Sequence, residues 1–171
     1  DAFDYLLAEG EIVPAITPVG YPAEKKSVRE KVIRKAAKDE YSALARLFEQ
    51  NVDNSYLTKT EEDYGRSLDG RWKDNLYEVV LEEMERRSDE ILLLLLIDNS
   101  RIIGYSFSSL TDPCHLEDLV IEKTYRSKGL GKFLISETIK SLKEMGYHNF
   151  RGEIGPDNLI SQNLMKQFSN V

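Results

Sequence analysis

Near Val28 the chain changes texture, and from there apolar residues recur with periods that separate strands from helices. Val32-Ile33 predicts a first strand. Leu44, Leu47 and Phe48 share one helical face, with Asp39 placed as the N-cap. Between residues 53 and 88 the apolar positions thin to Tyr64, Leu68, Trp72, Leu76, Val79 and Val80, a spacing that predicts two further helices. Residues 90–97 are dense in Leu and predict a strand covered on both faces. Asp98-Asn99-Ser100 turns the chain, and residues 101–110 return as the hairpin partner. Pro113 precedes a strand over residues 116–121. Leu134, Ile135, Ile139, Leu142 and Met145 form the stripe of a helix over 129–145 that stops at Gly146. A strand over 148–154 and a helix over 158–168 complete the pattern. The expected fold is α/β (α+β), a mixed sheet with helices on both faces rather than a strict βαβ repeat.

Composition narrows the function classes. Apolar residues make 41% of the 171-residue chain and charged residues 31%, the balance of a globular domain. The longest apolar run, residues 91–97, is too short to span a bilayer, so no membrane partner is expected. Acidic residues outnumber basic ones by 30 to 23, for a net charge of -7, which argues against a nucleic-acid partner. A single cysteine, Cys114, excludes a disulfide framework and a Cys-rich zinc site and points to the cytoplasm; no metal is expected. Residues 1–27 stand apart: Pro14, Pro18 and Pro22 fall there with Gly10 and Gly20, leaving room for a short edge strand over 12–16. The chain opens on Asp1 rather than Met, as a fragment or processed product would.

The segment that carries chemistry runs from Leu116 to Lys132, LEDLVIEKTYRSKGLGK. A strand enters a glycine-containing loop and a helix begins at once, so unpaired amides and the positive end of the helix dipole face the same point. Gly129 and Gly131 let backbone approach an anion, and Arg126, Lys128 and Lys132 add charge. The P-loop pattern fails, because Phe133 follows Lys132. The dinucleotide fingerprint fails too, because Leu134 stands where its third glycine belongs. Glu117 and Asp118 are neighbours on the strand, and Leu116 and Leu119 break its alternation, which a β-bulge would reconcile.

The remaining pattern, Arg-x-x-Gly-x-Gly, resembles the pyrophosphate loop of GNAT-type N-acetyltransferases. Val32-Ile33-Arg34-Lys35-Ala36 with Lys38-Asp39-Glu40 is similar to that family's first strand and helix start. Glu153-Ile154-Gly155-Pro156-Asp157-Asn158 is similar to its fifth strand and the Asn opening the next helix, so the resemblance covers 28–171. It implies acetyl-CoA as co-substrate and a primary amine of a small molecule or peptide as acceptor. The backbone of Leu119, Val120 and Ile121 would pair with the pantetheine arm. The amides of Arg126 or Ser127 through Lys128, Gly129, Leu130, Gly131 and Lys132 would cradle the pyrophosphate, and Asn158 and Ser161 would reach the pantetheine. Glu117 would be the general base, with Asp118 second and His115 and Tyr105 behind them. A backbone N–H near Leu119 or Val120 would hold the oxyanion.

Two departures stand out. The family often has a Tyr seven residues after the helix-opening Asn, to protonate the leaving sulfur; here Met165 occupies that place, with Tyr147 as a substitute. The family's final strand pair is also missing, which leaves three alternatives: a truncated chain, a partner chain in a homodimer, or the 12–16 strand filling the gap. Finally, Ile12 to Lys25, ending Gly-Tyr-Pro-Ala-Glu-Lys, resembles the C-terminal tail of nitroreductase-like flavoproteins. Three functions are therefore carried: acetyltransferase, non-catalytic acyl-CoA-binding module, and a fragment of an FMN-dependent enzyme.

Overall fold

A computed structural model describes residues 31–56 and 74–168. The expected 1–27 extension with its edge strand and tail-like run, and the first helix expected after residue 53, lie outside the described residues. Five strands form one sheet in the order β1-β2-β3-β4-β5: β1 (Val32–Lys35), β2 (Ile91–Asp98), β3 (Arg101–Ser109), β4 (Cys114–Ile121) and β5 (Phe150–Arg151). The first four pair antiparallel, and β4 with β5 parallel. Helices α1 (Tyr41–Asn51) and α2 (Leu76–Arg86) follow β1, α3 (Leu130–Glu144) follows β4, and α4 (Leu159–Met165) follows β5.

The six consecutive buried residues Ile91 to Leu96 divide between two cores, as period two demands of a strand covered on both sides. Ile91, Leu93 and Leu95 meet α1 and α2 through Leu44, Phe48 and Met84, joined by Tyr105, Phe107 and Val120. Leu92, Leu94 and Leu96 meet α3 through Leu130, Leu134 and Leu142, joined by Ile103 and Ile121. On the outer side of α3, Ile135 and Ile139 pack with Leu164 and Met165 of α4 and with Leu116 and Leu119. The β2–β3 turn puts Asn99 and Ser100 at φ 53° and 64°, the doubly left-handed two-residue loop that suits a right-twisted hairpin. Gly146, at φ 95°, ends α3 while Tyr147 N–H donates to the Leu142 carbonyl, the expected stop.

Three boundaries differ from expectation. Asp39 does not cap α1: it sits inside a 3₁₀ turn, Lys38–Glu40, and the N-cap position falls to Glu40, whose side chain makes no bond to that helix. That carboxylate accepts the Ala37 N–H at 2.9 Å and grips Arg34 at 2.6 and 2.7 Å, and the Arg34 bonds, chiefly, pull it down to about 2. Strand β4 starts two residues early, at Cys114, because the backbone there finds β5 as partner: Cys114 N–H donates to the Asn149 carbonyl. Strand β5 is only two residues long, pairing at Cys114↔Phe150 and His115↔Arg151 before the chains part.

Candidate active site

The bulge is present, and it arranges the carboxylates. Across β3 and β4, Phe107 pairs with Asp118 and Ser108 with Leu116, so Glu117 is the extra residue. Leu116 and Leu119 therefore both face the α3–α4 side. Glu117 and Asp118 both turn to the α1–α2 side, where Arg87 and Tyr56 receive them. Arg87, at the end of α2, clamps both Glu117 oxygens at 2.9 and 2.8 Å and lies 5.3 Å from the Phe107 ring centroid. Ser109 donates to Glu117 Oε1 and accepts from Arg87. Glu117 hydrogen bonding, foremost, pushes the Arg87 guanidinium up, beyond its already high range. With Oε1 taking two donors and Oε2 one, a carboxylate's four acceptor positions leave one on Oε2. Tyr56 donates to Asp118 Oδ1 at 2.9 Å while its ring stands edge-on to Phe48. Burial, with Asp118 and Tyr56 adding to it, pushes the Tyr105 hydroxyl well above its usual range.

Beyond His115, β4 has no strand partner on its β5 side among the described residues, and a cavity of about 540 Å³ opens there. Its lining includes Glu117 and Asp118 of β4, Thr138 of α3, Gly155 after β5, and Asn158, Ser161 and Met165 at α4. His115 also lines it, whereas Tyr147 does not: its hydroxyl points to the Leu110 carbonyl, 3.4 Å away. Asn158 caps α4, its Oδ1 accepting the Ser161 N–H at 3.0 Å.

The loop into α3 leaves donors uncommitted. The amides of Tyr125 and Arg126 close a 3₁₀ turn onto Glu122 and Lys123, and the first helical bond of α3 is Phe133 N–H to the Gly129 carbonyl. Among the described residues, the N–H groups of Ser127 through Lys132 have no acceptor within the protein. Ser127 at φ 61° and Gly129 at φ 75° alternate left-handed geometry with their neighbours, the backbone of an anion nest. Arg126 differs from expectation: its amide is closed, and its guanidinium binds the Ile121 and Asn51 carbonyls at 3.0 and 2.6 Å. Asn51 completes the link by accepting the Lys123 N–H at 2.8 Å, so the end of α1 is pinned to the loop. Sequence reasoning missed Asn51 and Arg87, whose partners lie 72 to 75 and 30 residues away. Gly131 is needed for contact rather than conformation, since a Cβ there would stand 3.3 Å from Leu164.

Residues 43–169 match the model of the acetyltransferase (GNAT) family. No curated protein is similar enough in sequence to match. Among solved structures, the PaiA N-acetyltransferase of Thermoplasma acidophilum in complex with coenzyme A is similar, with 20% identity and a TM-score of 0.62 over 81% of this chain and 87% of that one. An aminoglycoside N-acetyltransferase, AAC(6')-Iy, in complex with CoA gives 16% identity and a TM-score of 0.62 over 83% and 88%. YncA of Salmonella typhimurium with its cofactor acetyl-CoA gives 19% and 0.55 over 80% and 77%. These likenesses establish the mixed α/β fold. No helix among the described residues is long and apolar enough to cross a membrane.

Proposed function

The chain belongs to the acetyltransferase (GNAT) family, and on that footing we propose that it moves an acetyl group from acetyl-CoA to a primary amine of a small molecule or peptide. One observation carries this reading: six successive uncommitted amides, Ser127 to Lys132, stand at the start of α3 beside the open edge of β4. They suit a pyrophosphate, with Lys128 and Lys132 contributing charge. The unpaired edge over Leu119, Val120 and Ile121 suits an amide-bearing arm that adds as a strand. Asn158 and Ser161 face the same arm from α4.

The donor supplies an acetyl thioester. The amine nitrogen forms the new bond to the acetyl carbon, the carbon–sulfur bond breaks, and the amine's proton passes to the Glu117–Asp118 pair, directly or through water. Glu117 keeps one acceptor position for that purpose. A backbone N–H near Leu119 or Val120 stabilises the developing oxyanion. Met165 has no proton to give the sulfur, but a thiol with a pKa of about 8.5 leaves readily near neutrality. The similarity to an aminoglycoside N-acetyltransferase supports the acceptor class. In this reading residues 28–171 form the catalytic domain, and residues 1–27 an extension serving packing or dimerisation. The single described cysteine, buried Cys114, suits the cytoplasm.

Met165 also favours a second reading, a binding module without turnover. Thermal unfolding with acetyl-CoA, then thiol release over a panel of amines, tests both. The enzyme raises its midpoint with acetyl-CoA and releases thiol with an amine. Glu117→Gln is expected to lower kcat by at least about a hundredfold while acetyl-CoA affinity stays. A midpoint indifferent to both acetyl-CoA and CoA would sink the donor assignment. Stabilisation without thiol release from any amine would leave the binding module.

A further inference from the structure

Five hydroxyl-bearing residues line the cavity, Tyr56, Ser106, Ser108, Thr138 and Ser161, and three of them stand together where β3 meets α3: Ser106, Ser108 and Thr138. Each carries one proton, so their donors can be counted. Thr138 donates to the Leu134 carbonyl at 2.8 Å. Ser106 and Thr138 are 2.6 Å apart, and since the Thr138 proton is committed, Ser106 is the donor of that pair. Ser108 remains. It is fully buried, and among the described residues its Oγ has no hydrogen-bond partner. A buried hydroxyl without a partner is destabilising, and its persistence inside a ligand-sized cleft points to an acceptor that arrives from outside.

The position indicates which acceptor. Ser108 lies opposite Leu116 at the step where Glu117 bulges out of β4, on the face of β3 that Ser106 turns to α3, one residue along from Phe107, which faces the carboxylates. The walls beside it, Leu116, Leu119 and Ile135, are apolar and offer a ligand oxygen no proton. We propose that Ser108 is a further substrate-contacting residue, its hydroxyl donating to the carbonyl oxygen of the donor's acyl thioester. This rests on the acyl-CoA reading of the cleft. The cleft then distinguishes acylated from free coenzyme, because free CoA ends in a thiol and lacks that oxygen. Charge gathers on the carbonyl oxygen during attack, so the bond strengthens toward the transition state.

Calorimetric titration of the full chain with acetyl-CoA and with CoA, in parent and Ser108→Ala, tests this. Acetyl-CoA affinity should fall about threefold to tenfold in the variant, with CoA affinity held within about twofold and kcat lowered. The unliganded thermal midpoint should stay level or rise, because the substitution removes a hydroxyl that the described residues leave unpaired. An unchanged ratio of the two affinities would overturn the proposal, as would equal weakening of both. So would a clear drop in the unliganded midpoint, which would mean that the hydroxyl serves the protein itself. A parent that binds neither ligand would overturn the acyl-CoA reading and this proposal together.

Discussion

Removing Arg87 tests how the bulge holds its carboxylates. The guanidinium makes two parallel bonds to Glu117, at 2.9 and 2.8 Å, with side-chain exposures of 16% and 22%. Two unit charges about 4 Å apart attract by about 4 kcal/mol at the effective dielectric of a protein surface. Desolvation and the ordering of two long side chains subtract from that. Exposed pairs are worth about 0.2–1 kcal/mol, and truncating one partner of a fully buried pair costs about 3–5 kcal/mol. This pair sits between, so a coupling of about 2 kcal/mol is expected. Arg87→Met keeps the stem over Phe107 but takes the guanidinium away from Glu117. Denaturant unfolding of Arg87→Met, Glu117→Gln and the double variant closes the cycle. Each single variant should lose about 2–3 kcal/mol, and the double variant clearly less than their sum. A coupling below about 0.5 kcal/mol would show that α2 is held to β4 by packing alone.

Gly129 adopts φ 75° where the α3 amides begin, so Gly129→Val places a β-branched residue in left-handed geometry, at a cost of about 1–2 kcal/mol. It also sets a side chain at the anion's approach. CoA affinity by calorimetry should drop at least about tenfold, and an unaltered affinity would remove the loop from the site. Glu40 sits at about 2, below its ordinary value of 4.5. A depressed carboxyl contributes stability above its unfolded value and loses it as pH falls toward the folded one. Arg34 is half exposed and screened, so the effect is small. Glu40→Gln should shrink the fall in thermal midpoint between pH about 4.5 and about 2 by about 1–4 °C. Identical acid profiles in both proteins would rule out the Arg34–Glu40 grip as a stabilising contact.

What the sequence disclosed follows from the range of each cause. Local periodicity located β2, β3 and α3, because a buried strand or a one-faced helix writes its environment into successive residues. The loop was equally visible, since left-handed geometry at Gly129 and a helix starting at Leu130 are local demands. The β5 boundary was not: residues 148–154 have strand composition, but pairing ends where β4 and β5 part, a tertiary event. The start of α1 was misplaced by one residue because Asp39 and Glu40 share a 3₁₀ turn, and Glu40 turns its carboxylate back to the Ala37 N–H and to Arg34 rather than onto the helix.

The bulge is the instructive intermediate case. Leu116 and Leu119, three apart, gave it away as a break in alternation, yet its consequence depended on partners the pattern does not contain. One extra residue turned two adjacent carboxylates to the same face, where Arg87 and Tyr56 meet them. The same irregularity stands across from Ser108, on the opposite face of β3 from Phe107. Tyr105-Ser106-Phe107-Ser108-Ser109 places three serines along β3. Both faces are buried, so its serines needed partners: Ser106 found Thr138 and Ser109 found Glu117. A serine in a strand covered on both sides is a question of hydrogen bonding, answered by a partner within the protein or by one that arrives with a ligand.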